Sequence, residues 1–178
     1  MTRSFLIVLF IIGLPIVVFL AGSRIMFEVS GRPAGQVGLG MQWNGYDMDE
    51  AVTYWSSLKD KGTAEQRVLR LVFVFAVLYS SAIAFSLYLA HMQLGLRVSI
   101  ILFLIPVLVT MIADWTENAM QLDQLGNFIA AGREGLDPAR IRIASTATVV
   151  KVWSFTVSSV ALIVMAVMVL ISEIRRPS

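Results

Sequence analysis

The side chains best suited to chemistry lie in one stretch, Asp114-Trp115-Thr116-Glu117-Asn118, followed by Gln121 and Gln124. At 100° per residue, Thr110, Asp114, Glu117, Asn118, Gln121 and Gln124 fall within roughly one third of a helix circumference, with Asp123 on the opposite face. Carboxylates at the edge of hydrocarbon are expensive unless they face a helix-bundle interior, water or a partner. Two of them on one face can serve as acid and base, hold a polar ligand, or pair with a cation to lock helices together. Lys151 supplies the cation. If the chain turns back near Gly132 to Gly135, an antiparallel hairpin sets Lys151 level with Glu117 and Asn118. Arg140, Ala144, Ala147, Lys151, Ser154 and Ser158 then share one face, and its small residues allow close helix approach. The expected site is therefore an Asp114/Glu117/Lys151 cluster completed by Asn118 and Gln121. Arg70 is level with it but of undetermined facing. Tyr79, deep among Ser80, Ser81 and Ser86, needs a hydrogen-bond partner and is counted with the ligand-binding candidates. No residue is assigned as catalytic, because neither a nucleophile elbow nor a metal set accompanies the pair.

The surrounding composition decides which elements hold these residues. The chain has 178 residues, 57% hydrophobic and 15% charged, with a net charge of +2, and its mean hydropathy is +0.78. A soluble domain is usually nearer 45–50% apolar and about 25% charged, so the class is an integral membrane protein in contact with the lipid bilayer. Disorder and nucleic-acid binding are excluded. With no cysteine and one histidine, disulfides and multi-histidine zinc or haem sites are excluded too, and no metal or cofactor is expected.

Four apolar runs are long enough to cross hydrocarbon as helices: about 5–21, 71–90, 98–113 and 152–171. The first resembles a secretory signal peptide, but three later spans make a signal-anchor the simpler reading. The expected fold is a single all-α membrane domain over 1–178, a four-transmembrane-helix bundle. A one-sided cap over 22–66 and 114–151, from the first and third loops, faces a nearly bare side closed by a tight turn at His91 to Leu96. In the first loop, Gly31, Pro33, Gly35, Gly38 and Gly40 predict turns or a short hairpin. Asp47 with Glu50 reads as a capping box opening a helix to about Leu58, Thr63 with Gln66 as a second helix start, and Asp137-Pro138 as a third. Pro106 predicts a kink. Trp43, Trp55, Trp115 and Trp153 are expected at the cap-side interface, and His91 at the opposite one.

By count the cap side holds ten Lys or Arg and the bare side four, which favours a cytoplasmic cap. The cap's basic residues are interspersed with acidic ones, however, and Arg is dense in the short bare-side segments. The expectation is N-in and C-in, with the cap outside a bacterial inner membrane.

The segments Gly45-Tyr46-Asp47-Met48-Asp49-Glu50-Ala51, Tyr79 and Asp114-Trp115-Thr116-Glu117-Asn118 give the chain a resemblance to a group of small uncharacterised bacterial four-span membrane proteins. That group's pattern is Gly-Tyr-x-x-x-Glu-Ala in the first loop, a Tyr in the second helix and Asp-x-x-Glu-Asn ending the third. The resemblance implies the same architecture and picks out the same residues. Its members carry an Asp about two turns before the Tyr and a Pro between; here Val72 and Ala76 stand instead.

Three functions follow in order. The first is an accessory or binding protein holding a lipid, a small polar ligand, a membrane-protein partner or another copy of itself at the cluster. The second is a membrane enzyme acting on a lipid or isoprenoid, with Asp114 and Glu117 as acid and base. The third is a proton- or ion-coupled carrier.

Overall fold

The computed structural model describes residues 3–30 and 38–175, the side chains of 3–5 and 173 excepted. The fold is all-α, with five helices among the described residues: α1 (Arg3–Ser30), α2 (Met48–Ser57), α3 (Gly62–Leu94), α4 (Ile101–Ala131) and α5 (Pro138–Ile174). Among the described residues there is no strand. α1, α3, α4 and α5 are each long and apolar enough to cross a membrane, so this is a multi-pass membrane protein. Outward-facing leucine, isoleucine, valine and phenylalanine cover all four, as a helix dissolved in lipid requires.

The long helices overrun the apolar spans read from sequence. α1 continues past Ala21 to Ser30 and is unbroken at Pro15. α3 does not turn at His91 but runs to Leu94, where Gly95 takes a left-handed φ of 58° as its C-cap. The tight turn therefore follows Leu94, and His91 Nε2 closes it with a 2.7 Å contact to the Val98 carbonyl. α4 passes through Pro106 and Gly126 without interruption. A 3-10 turn at Gly132–Gly135 joins it to α5, which opens as read at Pro138 with Asp137 Oδ1 accepting from the Ala139 N–H at 2.8 Å. The second segment of the cap, 114–151, is thus a helical hairpin.

Of the glycine-rich stretch, 31–37 lies outside the described residues. The remainder forms a single 3-10 turn at Leu39–Met41. Asp47 and Glu50 make the expected capping box at the start of α2. The second box is not formed: the N-cap is Lys61, two residues before Thr63, α3 starts at Gly62, and no side chain caps it. Glu65 is turned inward instead, accepting from the Tyr54 hydroxyl at 3.0 Å.

Two apolar cores result. One lies within the membrane bundle around Ile11, Phe75, Ile83, Leu87 and Met165. The other lies in the cap around Leu39, Trp55, Leu58, Leu125 and Ile141. Trp55 is therefore not an interface anchor but a core residue, 3% exposed, its ring centroid 5.7 Å from that of Phe128. Trp43, Trp115 and Trp153 are the exposed indoles, and Trp115 is also tied to α3 through Nε1–H to the Phe73 carbonyl at 3.0 Å.

Candidate functional site

Between the two cores lies a polar layer, and the stripe on α4 builds it. Asp114, Glu117, Asn118 and Gln121 recur on one face of α4 and are all buried, Glu117 to 1% exposure. The antiparallel hairpin brings α5 alongside in the register read from the sequence. Lys151 Nζ lies 3.2 Å from Asp114 Oδ1 and contacts Glu117 Oε2 directly. Asn118 Nδ2 donates to Asp114 Oδ1 at 2.9 Å and to the Asp114 carbonyl at 2.5 Å. Gln121 Nε2 donates to Glu117 Oε1 at 2.9 Å.

α3 closes the layer from the membrane side. The Tyr79 hydroxyl donates to Asp114 Oδ2 at 3.0 Å. Its ring is held by Phe75 and Phe155, with centroids 5.3 and 6.0 Å away. α1 approaches α3 closely at Gly22, where a Cβ would overlap the Phe75 ring at 1.9 Å. Packing of an apolar ring on bare backbone thus helps fix the phenol beneath the carboxylate.

The first loop closes the layer from the cap side, and here lie residues that the site reading did not include. The Tyr46 hydroxyl accepts from Gln121 Nε2 at 3.0 Å, and the Tyr46 N–H donates to Ser145 Oγ at 2.9 Å. Burial, together with the nearby Glu117 charge, pushes the Tyr46 phenol well above its usual range, so it stays neutral. Thr148 on α5 lies beside both Tyr46 and Glu117, its hydroxyl donating to the Ala144 carbonyl at 3.1 Å. Gly40 rests against the pair. In the sequence Tyr46 stands out only as part of the Gly-Tyr-x-x-x-Glu-Ala segment and Gly40 only as a turn glycine, and nothing marks Thr148.

Six residues singled out from sequence therefore meet: Tyr79, Asp114, Glu117, Asn118, Gln121 and Lys151. Other residues of the same faces do not join them. Gln124 serves the hairpin turn, accepting from the Asp137 N–H at 2.7 Å. Arg140 is exposed and pairs with Asp123 at 2.7 Å. Thr110 and Ser154 bond each other one turn deeper, at 2.8 Å, and Arg70 faces outward.

Two surface concavities stand out: a groove of about 480 Å³ between α4 and α5, and a depression of about 440 Å³ at the start of α2. Neither is lined by a member of the cluster. Among the described residues, no three histidine, cysteine or acidic side chains converge as a metal would require.

No protein-family model matches the sequence, and neither a curated protein nor a solved structure matches it. The geometry alone bears on function.

Proposed function

We propose that this is an integral membrane accessory or binding protein in which the buried cluster clasps the first-loop cap to the bundle. The surfaces fixed in this way hold a lipid, a small polar ligand or a membrane partner. The observation that carries this reading is the full engagement of the two carboxylates. Asp114 meets Lys151, Asn118 and Tyr79, and Glu117 meets Lys151 and Gln121, all from within the chain. A general acid or base must lie within hydrogen-bond reach of the proton it moves. Groups 4% and 1% exposed, with their oxygens already taken, favour a structural anchor over catalysis. We further read the protein as resident in a bacterial inner membrane, N-in and C-in with the cap outside. Arg-dense short segments on the bare side and the resemblance to bacterial four-span proteins support that placement.

One observation favours a second reading, the proton-coupled carrier. Two carboxylates face one ammonium, so a fully ionised cluster holds one negative charge in excess, which a proton would balance.

Purified wild type, Asp114→Asn and Glu117→Gln separate these readings. The accessory reading expects lower thermal midpoints in the variants and no turnover of lipid or isoprenoid substrates by any of them. Turnover by wild type that Glu117→Gln abolishes, with the midpoint unchanged, would overturn it. Flux into liposomes driven by a pH gradient, lost in the variants, would establish the carrier instead.

A further inference from the structure

A second feature lies apart from the cluster, on the outward side of the α4–α5 hairpin, running from the apolar span of α4 up along the cap. The groove there is walled by Val109 and Ile112 on one side and Ile143, Thr146 and Val150 on the other. Ala113 and Ala147 also line it, and both are buried. The depression exists because these two positions carry only a methyl. The threonines do not make the wall polar: Thr116 and Thr146 donate their hydroxyls to their own helix, to the Ile112 and Arg142 carbonyls at 2.9 and 2.8 Å. The groove is therefore hydrocarbon-like along its length.

Its only charged member is Arg142. The other arginines of this hairpin are paired, Arg133 with Asp49 and Arg140 with Asp123 and Asp137. Arg142 has no ion pair among the described residues. Its position is terminal. The Thr110–Ser154 and Asp123–Arg140 contacts fix the register of the two helices. That register sets Arg142 about twelve residues above Val109, roughly 18 Å at 1.5 Å per residue. Outward-facing Ile143 carries the apolar surface up to the guanidinium. A hydrocarbon trough with one uncompensated cation at its cap-side end is the complement of an amphiphile with a single negative headgroup.

We propose that this groove binds one anionic phospholipid, with its phosphate on Arg142 and an acyl chain along the α4–α5 trough. The guanidinium supplies planar donors matched to phosphate oxygens, and a basic residue at the membrane surface favours anionic over zwitterionic lipid. The assignment does not depend on what the buried cluster does.

The test is native mass spectrometry of the full-length protein in neutral detergent, titrated with dioleoyl phosphatidylglycerol and, separately, dioleoyl phosphatidylcholine. Wild type should hold one phosphatidylglycerol about fivefold more tightly than phosphatidylcholine. Arg142→Gln should erase that preference, while Arg133→Gln, equally basic but remote, should leave it intact. Thr146→Trp, which fills the trough from an exposed position, should weaken both lipids at unchanged helical content. Equal affinity for the two lipids, or a preference that survives Arg142→Gln, would overturn the proposal. So would a wild-type dimer abolished by Thr146→Trp, because the groove would then be a contact between copies. Should Thr146→Trp fail to fold, the Arg142 and Arg133 variants decide on their own.

Discussion

Gly40 lies so close to Glu117 that a methyl group on its α-carbon would stand 2.5 Å from Oε1 and 3.2 Å from Lys151 Nζ. Leu39, buried in the cap core beside it, keeps the turn from backing away. A side chain at position 40 must therefore displace a carboxylate already held by Gln121 and Lys151. Gly40→Ala should destabilise the protein by about 1–3 kcal/mol, the usual range for overpacking a filled interior. In a Glu117→Ala background, where the space is vacated, the same change should be nearly neutral. Thermal melts of the four proteins in detergent give the coupling directly.

Charge counting ranks the substitutions within the cluster. Lys151→Met removes the cation that, among the described residues, alone contacts Asp114 and Glu117 and should destabilise by about 3–5 kcal/mol, as for a broken buried pair. Glu117→Gln is milder, because Lys151 keeps Asp114 and the excess negative charge disappears. Acid should selectively relieve Lys151→Met, since protonated carboxylates need no counter-ion. Melting midpoints measured at neutral and mildly acidic pH check both the order and the relief. Equal effects of the two substitutions would contradict the charge argument.

Tyr46 makes an alkaline prediction. Burial and the Glu117 charge raise its phenol above the usual value in the folded protein, whereas the unfolded chain titrates near 10. Below about pH 10 both states are protonated and the stabilisation is complete. Above it the unfolded chain releases a proton that the folded one retains, so stability falls as pH rises. Tyr46→Phe should remove this component and flatten the alkaline limb relative to wild type. At neutral pH it should cost about 1 kcal/mol for the lost Gln121 bond. Parallel urea titrations at pH 8 and pH 11 measure the difference.

How much was legible varied with the kind of contact. The stripe from Asp114 to Gln121 and its pairing with Lys151 follow from helical period and hairpin register, and both are local arithmetic. Asp47 and Asp137 were readable because capping is decided within a few residues. The Thr63 box does not form because the helix begins upstream, with Lys61 as an N-cap without a side-chain bond, so that Thr63 already lies inside the first turn. Trp55 was misread because hydropathy puts an indole at the interface, and only the fold brings Phe128 to it. Gly40 is legible as a turn residue, but its contact with Glu117 and the part of Thr148 are not, because close approach of an irregular loop has no period. The polar continuations of α3, α4 and α5 that build the cap are legible for the same local reasons as the caps. No breaker stands between Pro106 and Gly126, and Asp137-Pro138 marks a helix start well before the apolar span. Only the extension of α1 from Ala21 to Ser30 carries no such signal.

The two cores should respond separately to mutation. Trp55 packs on Phe128 within the cap, while Ile11, Phe75 and Met165 fill the bundle. The polar layer between them transmits load through Tyr79, Asp114 and Gln121 and contributes little apolar contact. Trp55→Ala should cost about 3–5 kcal/mol, as for a buried aromatic, with the loss concentrated in the cap. Hydrogen exchange in detergent should show faster exchange in α2 and the start of α3, with the membrane-spanning part of α5 still protected. Asp47→Ala should reproduce a weaker version confined to α2, about 1 kcal/mol for a lost N-cap. If Trp55→Ala instead loosens α1 and the bare-side end of α3 to the same degree, the two cores are one cooperative unit, and the cluster couples them more rigidly than its hydrogen bonds alone require.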